Sequence, residues 1–337
     1  MRSFLAICLC VPFLLLAACD APDTKSQITF SHILSEQSEW HTGAAKWKEL
    51  VEEAFPGEFA IRLVTRASLS NNNQRTELEM VQAGTLTASW ESSILLTYSD
   101  PRWTVWSMPW LFDSYETAES LCTSELGQEM LDSLEPFGLV GLAYGFNGFR
   151  HVTNNRRPVS TLDEIKNLKI RVPSLQMFIS LYRLWGADPS QMNFGDLIVA
   201  LREGTMDGQE NPLHVIRSSG VYELQKHITL WHYAFDPIIF CMNKTKWDQF
   251  NPAQQDGLRQ AAQEAAAVQR RTVVENEAEH RVFLEAQGVQ ITEPSPEAIL
   301  QFRQASQPIY EEYKALIGAD LLTRFTTAAN WTTPPHP

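Results

Sequence analysis

Two arginines lie at the ends of predicted strands, where their side chains could bind an anion. Arg171 lies in the stretch NLKIRVPS, in which apolar and charged residues alternate as in a β-strand and a proline ends the run. Arg150 ends the apolar stretch AYGFNGF. If both guanidinium groups point into one cleft, they could bind a carboxylate through paired hydrogen bonds. The alternative is two surface arginines without a common partner, and the alternation alone leaves both interpretations open.

The densest polar cluster, DGQENPLH, contains groups that could do acid–base chemistry. Asp207 and Glu210 could form a general acid–base pair, with His214 nearby. The same stretch also suits a turn after a helix, because Asp-Gly and Asn-Pro are turn dipeptides. The sequence has no nucleophile elbow, zinc-protease or phosphate-loop motif, and no Cys-x-x-Cys or His/Cys metal spacing. We therefore expect the turn rather than an enzyme active site, and we expect no catalytic residue, metal or cofactor.

The elements that would position these residues follow an α/β pattern. Strand, helix, strand and helix follow one another in ITFSHIL, HTGAAKWKELVEEAF, FAIRLVT and QRTELEMVQAG, which is typical of parallel α/β folds. Two later strand-like stretches, GLVGLAYGFNGFRHVTN and HITLWHYAFDPIIFCMNK, are long enough to cross between two lobes. Asn251 and Pro252 begin a helix that should run to Gln287, ~50 Å at 1.5 Å per residue, and lie along both lobes. The sequence predicts two α/β lobes with a ligand cleft at their boundary.

Composition excludes some partners. The chain has 337 residues, of which 44% are hydrophobic, and a formal net charge of -13. A chain this acidic without a basic patch offers no counterion release, so we expect no nucleic-acid partner. The charge favours a soluble monomer. Cys122 and Cys241 lie in apolar surroundings, so we expect buried free thiols rather than a disulfide.

The N-terminus has the features of an export signal. The run FLAICLCVPFLLLAA is shorter than the ~20 residues of a membrane-spanning helix and follows Arg2. It ends in Leu-Ala-Ala-Cys, which resembles the lipobox of bacterial lipoproteins and predicts a signal peptide at 1–18 and a lipidated Cys19. Asp20 resembles the residue that favours retention at the inner membrane. The alternative is an ordinary signal peptide with an incidental cysteine; either way the expected location is the periplasm.

Three blocks resemble one family of transport proteins. NGFRHVTNNRRPVSTLDEIKNLKIRVPS, GADPSQMNFGDLIVALREGTMDGQENPL and VYELQKHITL look like consecutive signatures of the dicarboxylate-type (DctP) solute-binding subunits of tripartite ATP-independent periplasmic (TRAP) transporters. The match runs in order and at family spacing from about residue 28 to 292. The resemblance implies a two-lobed periplasmic solute-binding protein, not an enzyme, that closes around a small organic acid. The acid would then pass to membrane permease subunits driven by a sodium gradient.

The resemblance also implies a ligand site. Arg171 corresponds to the family arginine that forms a bidentate salt bridge with the ligand carboxylate. Arg150 corresponds to a second carboxylate-facing arginine, and Asn211 to an amide that hydrogen-bonds the same group. Phe194 corresponds to an aromatic residue that packs against the ligand.

Three further residues are weaker candidates for ligand binding. Glu91 lies near a position that contacts ligand hydroxyls in sialic-acid-binding relatives, and it would repel a second carboxylate if it faced the cleft. Trp90 could line the pocket or belong to the core. Tyr233 lies in a His-Tyr pair near the lobe crossing, where Asn-His is common in the family. The acid itself is left open among C4-dicarboxylates, sugar acids, and hydroxy or keto acids.

Domain limits and two alternative functions complete the predictions. We expect a lipidated tether, two lobes that each contain two chain segments, and a disordered tail; the ranges are 19–27 for the tether, 28–147 and 236–275 for lobe I, 148–235 and 276–330 for lobe II, and 331–337 for the tail. The first alternative function is an exported hydrolase or isomerase that uses Asp207, Glu210 and His214. The second is a lipoprotein that reports ligand to a sensor kinase.

Overall fold

A computed structural model of the protein describes residues 25–334. The predicted signal peptide and Cys19 lie outside the described residues, as do most of the tether and the last three residues. Among the helices within the described range, none has both the length and the apolar character needed to cross a membrane.

The strands form two mixed sheets. In chain order the strands are β1 (Ser26–Ser31), β2 (Phe59–Val64), β3 (Ala88–Ser92), β4 (Leu139–Phe149), β5 (His151–Asn154), β6 (Lys169–Val172), β7 (Asp188–Gln191), β8 (Gly208–Asn211), β9 (His227–Thr229), β10 (Phe235–Asn243) and β11 (Gln290–Thr292). The first sheet has the order β2-β1-β3-β10-β4 and the second the order β11-β9-β5-β8-β6-β7. We call the parts of the molecule built on these sheets lobe I and lobe II.

Helices cover the sheets and connect the strands. The α-helices are α1 (Glu39–Ala54), α2 (Gln74–Ala83), α3 (Ser93–Leu96), α4 (Tyr115–Cys122), α5 (Glu125–Asp132), α6 (Leu162–Ile165), α7 (Gln176–Leu184), α8 (Phe194–Glu203), α9 (Leu213–Ser218), α10 (Lys244–Trp247), α11 (Pro252–Ala286), α12 (Pro296–Ile317) and α13 (Ala319–Ala328). Short 3-10 helices cover Ser68–Ser70, Pro101–Ser107, Glu135–Phe137 and Val221–Glu223.

The predicted parallel pattern holds for only part of each sheet. Strand β1 is parallel to β2 and β3, and β6 is parallel to β7 and β8. The strands that continue across the lobe boundary pair antiparallel, β10 with β3 and β4, and β5 with β8 and β9. The molecule is therefore a two-lobed α/β protein with mixed sheets.

Both long strand-like stretches cross between the lobes, as the sequence predicts. Strand β4 of lobe I ends at Phe149 and β5 of lobe II begins at His151, so Arg150 alone separates them. The return crossing lies between Thr229 and Phe235. The two crossings are joined, because the backbone N–H of Arg150 donates to the carbonyl of Ala234 at 2.9 Å. Arg150 thus lies at the hinge between the lobes.

The long helix is also confirmed. Helix α11 has 35 residues, Asn251 caps it in a capping box, and Pro252 lies in its first turn. Gly288, just beyond its end, has a φ of +84°, which suits glycine. The helix packs against α1 and β4 in lobe I and against α9 in lobe II. It therefore lies along both lobes.

Three details concern the expected domain limits and cysteines. Strand β1 begins at Ser26, so the predicted tether is two residues too long. The predicted tail is wrong at its start, because Trp331 stacks on Tyr310 with ring centroids 4.3 Å apart. Nearby, the Pro334 carbonyl accepts a 2.7 Å hydrogen bond from α12. Cys122 and Cys241 are buried free thiols, as expected.

Candidate functional site

A cavity lies between the lobes, and four of the predicted ligand contacts line it. They are Arg150, Arg171, Phe194 and Asn211. The cavity has an empty volume of about 410 Å³, including the part open to solvent.

Arg171 is a buried cation at the wall of this cavity. Strand β6 lies between β7 and β8, and Ile170 and Val172 are buried on either side of Arg171. The Nε and Nη2 atoms of Arg171 donate to the Met192 carbonyl at 2.9 and 2.7 Å. The Phe194 ring centroid lies 5.9 Å from the guanidinium carbon. The alternating strand therefore presents a fixed cation to the cavity.

No carboxylate forms an ion pair with Arg171 among residues 25–334, although only 2% of its surface is exposed. Burial lowers the pKa of Arg171 to about 10, with a partly compensating contribution from Glu210. The side chain still carries its charge at neutral pH. A buried charge of this kind is costly unless an anion pairs with it.

Arg150 differs from Arg171, because acidic side chains surround it. Its Nε and Nη2 atoms donate to the two carboxylate oxygens of Glu210 at 2.5 and 2.7 Å, and Nη1 donates to Asp236 at 2.9 Å. Burial lowers the pKa of Arg150, but Glu210 and Asp236 outweigh this effect and raise the pKa above its ordinary value. Of the two arginines predicted to bind one carboxylate, Arg150 is therefore already paired within the protein.

Asn211 lines the cavity as predicted but is held by its neighbours. Its Oδ1 accepts from Arg150 Nη2 at 3.1 Å, and its Nδ2 donates to Gln209 at 2.5 Å. The amide is therefore oriented by the ion-pair network around Arg150.

Asp236 is a cavity residue that the sequence analysis missed. It is the second residue of β10 and accepts hydrogen bonds from Ser92, Ser93 and Asn147, at 2.8 to 3.0 Å, in addition to Arg150. The sequence does contain a signal for this residue, because Asp236 is the one acid in the apolar run YAFDPIIFCM. A fully buried acid requires partners, so it indicates a polar network.

Three of the predicted ligand contacts do not line the cavity. Trp90 is in the core of lobe I, where it packs edge-on against Phe240 with ring centroids 5.3 Å apart. Glu91 is also buried in lobe I and accepts a 2.7 Å hydrogen bond from Ser89. Glu91 is expected to repel a second carboxylate if it faces the cleft, but its side chain does not line the cavity. The Tyr233 hydroxyl donates to Glu210 at 2.7 Å, so Tyr233 contacts the partner of Arg150 and does not itself line the cavity.

The structure does not assemble an acid–base set from Asp207, Glu210 and His214. Asp207 accepts from Arg156 at 2.6 Å and from the Lys169 backbone at 2.9 Å. Glu210 is paired with Arg150.

His214 has different partners. Its Nδ1 atom lies 3.1 Å from Glu39, and its Nε2 atom lies 2.7 Å from the Asn147 carbonyl. Each of the three groups has its own structural partners.

One cluster at the hinge has the composition of a metal site. His151, His232 and Glu277 bring their ligand atoms within 4.8 Å of one another. However, the Trp231 backbone N–H donates to Nδ1 of His151 at 3.2 Å. A neutral His151 then carries its hydrogen on Nε2, which leaves neither ring nitrogen with a lone pair for a metal. A histidine that binds a metal usually does so through one ring nitrogen and donates a hydrogen bond from the other. We therefore interpret these three residues as structural contacts at the hinge and not as a metal site.

The lobes touch at the mouth of the cavity. The Asn193 amide of lobe II donates to the Asn72 carbonyl of lobe I at 3.0 Å, and the Ser35 hydroxyl donates to the Ser218 carbonyl at 3.4 Å. Asn71 and Asn72 adopt φ of 55° and 60°, the left-handed geometry that asparagine tolerates. This conformation is closed around the cavity.

The chain is similar to known proteins over most of its length. The family model of bacterial extracellular solute-binding proteins, family 7 (DctP), matches residues 30–316. The 2,3-diketo-L-gulonate-binding periplasmic protein of Escherichia coli (strain K12) is 33% identical over 250 residues, which cover 74% of this chain and 76% of that protein.

Two solved structures are similar over nearly the whole fold. A TRAP periplasmic solute-binding protein of Ralstonia eutropha with bound (S)-2-acetolactate has a TM-score of 0.87 and 31% identity, covering 91% of this chain and 100% of that one. The sugar acid binding protein of Advenella mimigardefordensis, in complex with galactonate, has a TM-score of 0.88 and 30% identity, covering 91% and 98%. The chain belongs to family 7 of the bacterial extracellular solute-binding proteins, the solute-binding proteins of TRAP transporters.

Proposed function

We propose that this protein captures an organic acid by clamping its carboxylate on Arg171 and delivers it to the permease subunits of a TRAP transporter. The observation that carries the proposal is the buried guanidinium of Arg171, which faces the cavity and has no ion-pair partner in the described chain. The lipidated Cys19 would hold the protein at the inner membrane. In this role the protein is a binder and not an enzyme.

The hydrogen bonds of Arg171 leave one side of the guanidinium available. The Met192 carbonyl uses the edge formed by Nε and Nη2. The other edge, formed by Nη1 and the second hydrogen of Nη2, has the geometry that matches two carboxylate oxygens. Phe194 covers one face of the group. A carboxylate would therefore dock in one orientation.

Closure of the lobes explains why binding requires an anion. In the closed conformation Arg171 is cut off from water. Closing without a carboxylate would leave this charge uncompensated, whereas each charge-assisted hydrogen bond to a ligand contributes about 1.5–3 kcal/mol. Ligand binding would therefore shift the population towards the closed form.

The similar proteins support an organic acid as the ligand. One is named for 2,3-diketo-L-gulonate, and two were solved with (S)-2-acetolactate and galactonate. These three ligands share a carboxylate and differ in the remainder of the molecule. The carboxylate is the part for which Arg171 provides a partner.

Thermal unfolding with a library of carboxylic acids, each beside its neutral amide, tests the proposal. A bound acid at 100 times its dissociation constant should stabilise the protein by about 2.7 kcal/mol, and its amide should not. NMR of the released ligand should show it unchanged, as expected of a binder. Stabilisation by the amides, or conversion of an acid to a product, would contradict the proposal.

A further inference from the structure

Building on the proposed function, we propose that the cavity selects a short, branched monocarboxylate with one or two further polar groups. Dicarboxylates and polyhydroxylated sugar acids should bind much more weakly. The specificity determinants are the apolar residues Ile94 and Leu95 of α3 and Val215 of α9.

The charges of the cavity suit one carboxylate. The lining contains two cations, Arg150 and Arg171, and no lysine or histidine. Arg150 is already paired with Glu210 and Asp236, and this network of one positive and two negative charges has no cation left for a ligand. Arg171 can receive one carboxylate. A second carboxylate would enter a closed cavity without an unpaired cation, which is costly.

The polar lining offers few partners for hydroxyl groups. Asp236 accepts hydrogen bonds from four side chains. Asn147 also accepts from Trp40 Nε1 at 3.2 Å, and Asn211 is held between two neighbours. The Gln74 amide also lines the cavity, and no hydrogen bond joins it to another described side chain or backbone group. A sugar acid would bury several hydroxyls for which the cavity has few free partners.

The rest of the lining is an apolar wall built from both lobes. Ile33 and Leu34 follow β1, Ile94 and Leu95 belong to α3, and Val215 belongs to α9. All five are at most 6% exposed in the closed conformation. A branched alkyl group placed against them leaves water, and the burial of apolar surface favours binding. The wall therefore favours branching over hydroxylation.

Isothermal titration calorimetry of the unmodified protein tests the inference with three acids. The probes are 2-hydroxy-3-methylbutanoate, succinate and gluconate. We expect the branched acid to bind at least tenfold more tightly than either of the others. A smaller difference, or the opposite order, overturns the inference and leaves the carboxylate clamp standing. If none of the acids binds here or in the library above, the clamp itself is overturned.

A matched pair of variants tests the apolar wall. Val215→Thr keeps the side-chain shape and adds a hydroxyl in the cavity, whereas Val199→Thr makes the same change at a residue of α8 that is 51% exposed. Val215→Thr should weaken binding of the branched acid by at least threefold, and Val199→Thr should leave it unchanged. Equal affinity of a folded Val215→Thr protein and the unmodified protein would overturn the role of Val215. The three-acid comparison does not depend on either variant.

Discussion

Arg171 donates two hydrogen bonds to the backbone carbonyl of Met192, at 2.9 Å from Nε and 2.7 Å from Nη2. Met192 follows β7, the strand that pairs with the strand of Arg171. The backbone of one strand thus fixes the guanidinium of the next. This contact restricts the side-chain rotamers of the arginine before any ligand arrives, so less entropy is lost on binding.

The ion pair between Arg150 and Glu210 should be essential for folding stability. Both side chains are at most 3% exposed, and Glu210→Gln would leave Arg150 with Asp236 as its one carboxylate. Removing one partner of a buried pair typically costs about 3–5 kcal/mol. Urea unfolding should show a loss of this order, whereas Asp163→Asn in an exposed pair should have no measurable effect. A loss in Glu210→Gln as small as in Asp163→Asn would contradict the prediction.

Gln269 of α11 should anchor the crossing strand β4. Its Oε1 accepts from the Phe146 backbone N–H at 2.7 Å, and its Nε2 donates to the Phe146 carbonyl at 2.8 Å. Gln269→Leu would leave both buried backbone groups unsatisfied, at about 1–3 kcal/mol each. Unfolding should therefore become easier by at least about 2 kcal/mol. Gln263→Leu, an exposed position of the same helix, is the control and should change stability little.

Glu91 should make the protein less stable as pH rises. Burial, together with the nearby Glu77, raises the pKa of Glu91 well above its ordinary value. The unfolded state releases the proton near pH 4.5 and the folded state only at higher pH, so the unfolded state is favoured as pH rises. Glu91→Gln removes this linkage. From pH 5 to pH 8 the variant should gain stability relative to the unmodified protein, and parallel pH profiles would contradict this.

His151 should have the opposite effect on the pH dependence. Burial lowers its pKa to about 4, although Glu277 opposes the shift. The unfolded imidazole takes up a proton near pH 6.5 and the folded one near pH 4, so stability falls as pH decreases through this window. At pH 5 the effect is about 2 kcal/mol. Denaturation of the unmodified protein and His151→Gln at pH 7 and pH 5 measures it, and an equal loss in both would refute it.

Local patterns in the sequence predict much of the fold. Asn251 and Pro252 at the start of α11 are local signals of a helix N-terminus, and the structure confirms both. The two crossings follow from the length of the apolar runs. The alternation in β6 shows that Arg171 and its apolar neighbours point to opposite faces, but it does not show which face meets the cavity. The family resemblance supplied that choice.

The remaining features of the fold and of the candidate site depend on contacts between residues that are far apart in the sequence. Strand β3 is buried on both faces, so its pattern cannot show that Ser92 lines the cavity and Glu91 does not. One residue along a strand reverses the face. The pairing of Arg150 with Glu210 and Asp236 joins residues 60 and 86 positions apart in the chain. No local pattern of the sequence reveals such a partnership.

Calorimetry of Arg171→Lys tests the carboxylate clamp most directly. Lysine keeps the charge but cannot hold the Met192 carbonyl and both carboxylate oxygens with one planar group. Arg156→Lys is the control, because Arg156 is 63% exposed and pairs with Asp207 outside the cavity. For the acid that stabilises the unmodified protein most, Arg171→Lys should weaken binding by about 10- to 100-fold, and Arg156→Lys should not. Binding by a folded Arg171→Lys protein within threefold of the unmodified protein would contradict the clamp.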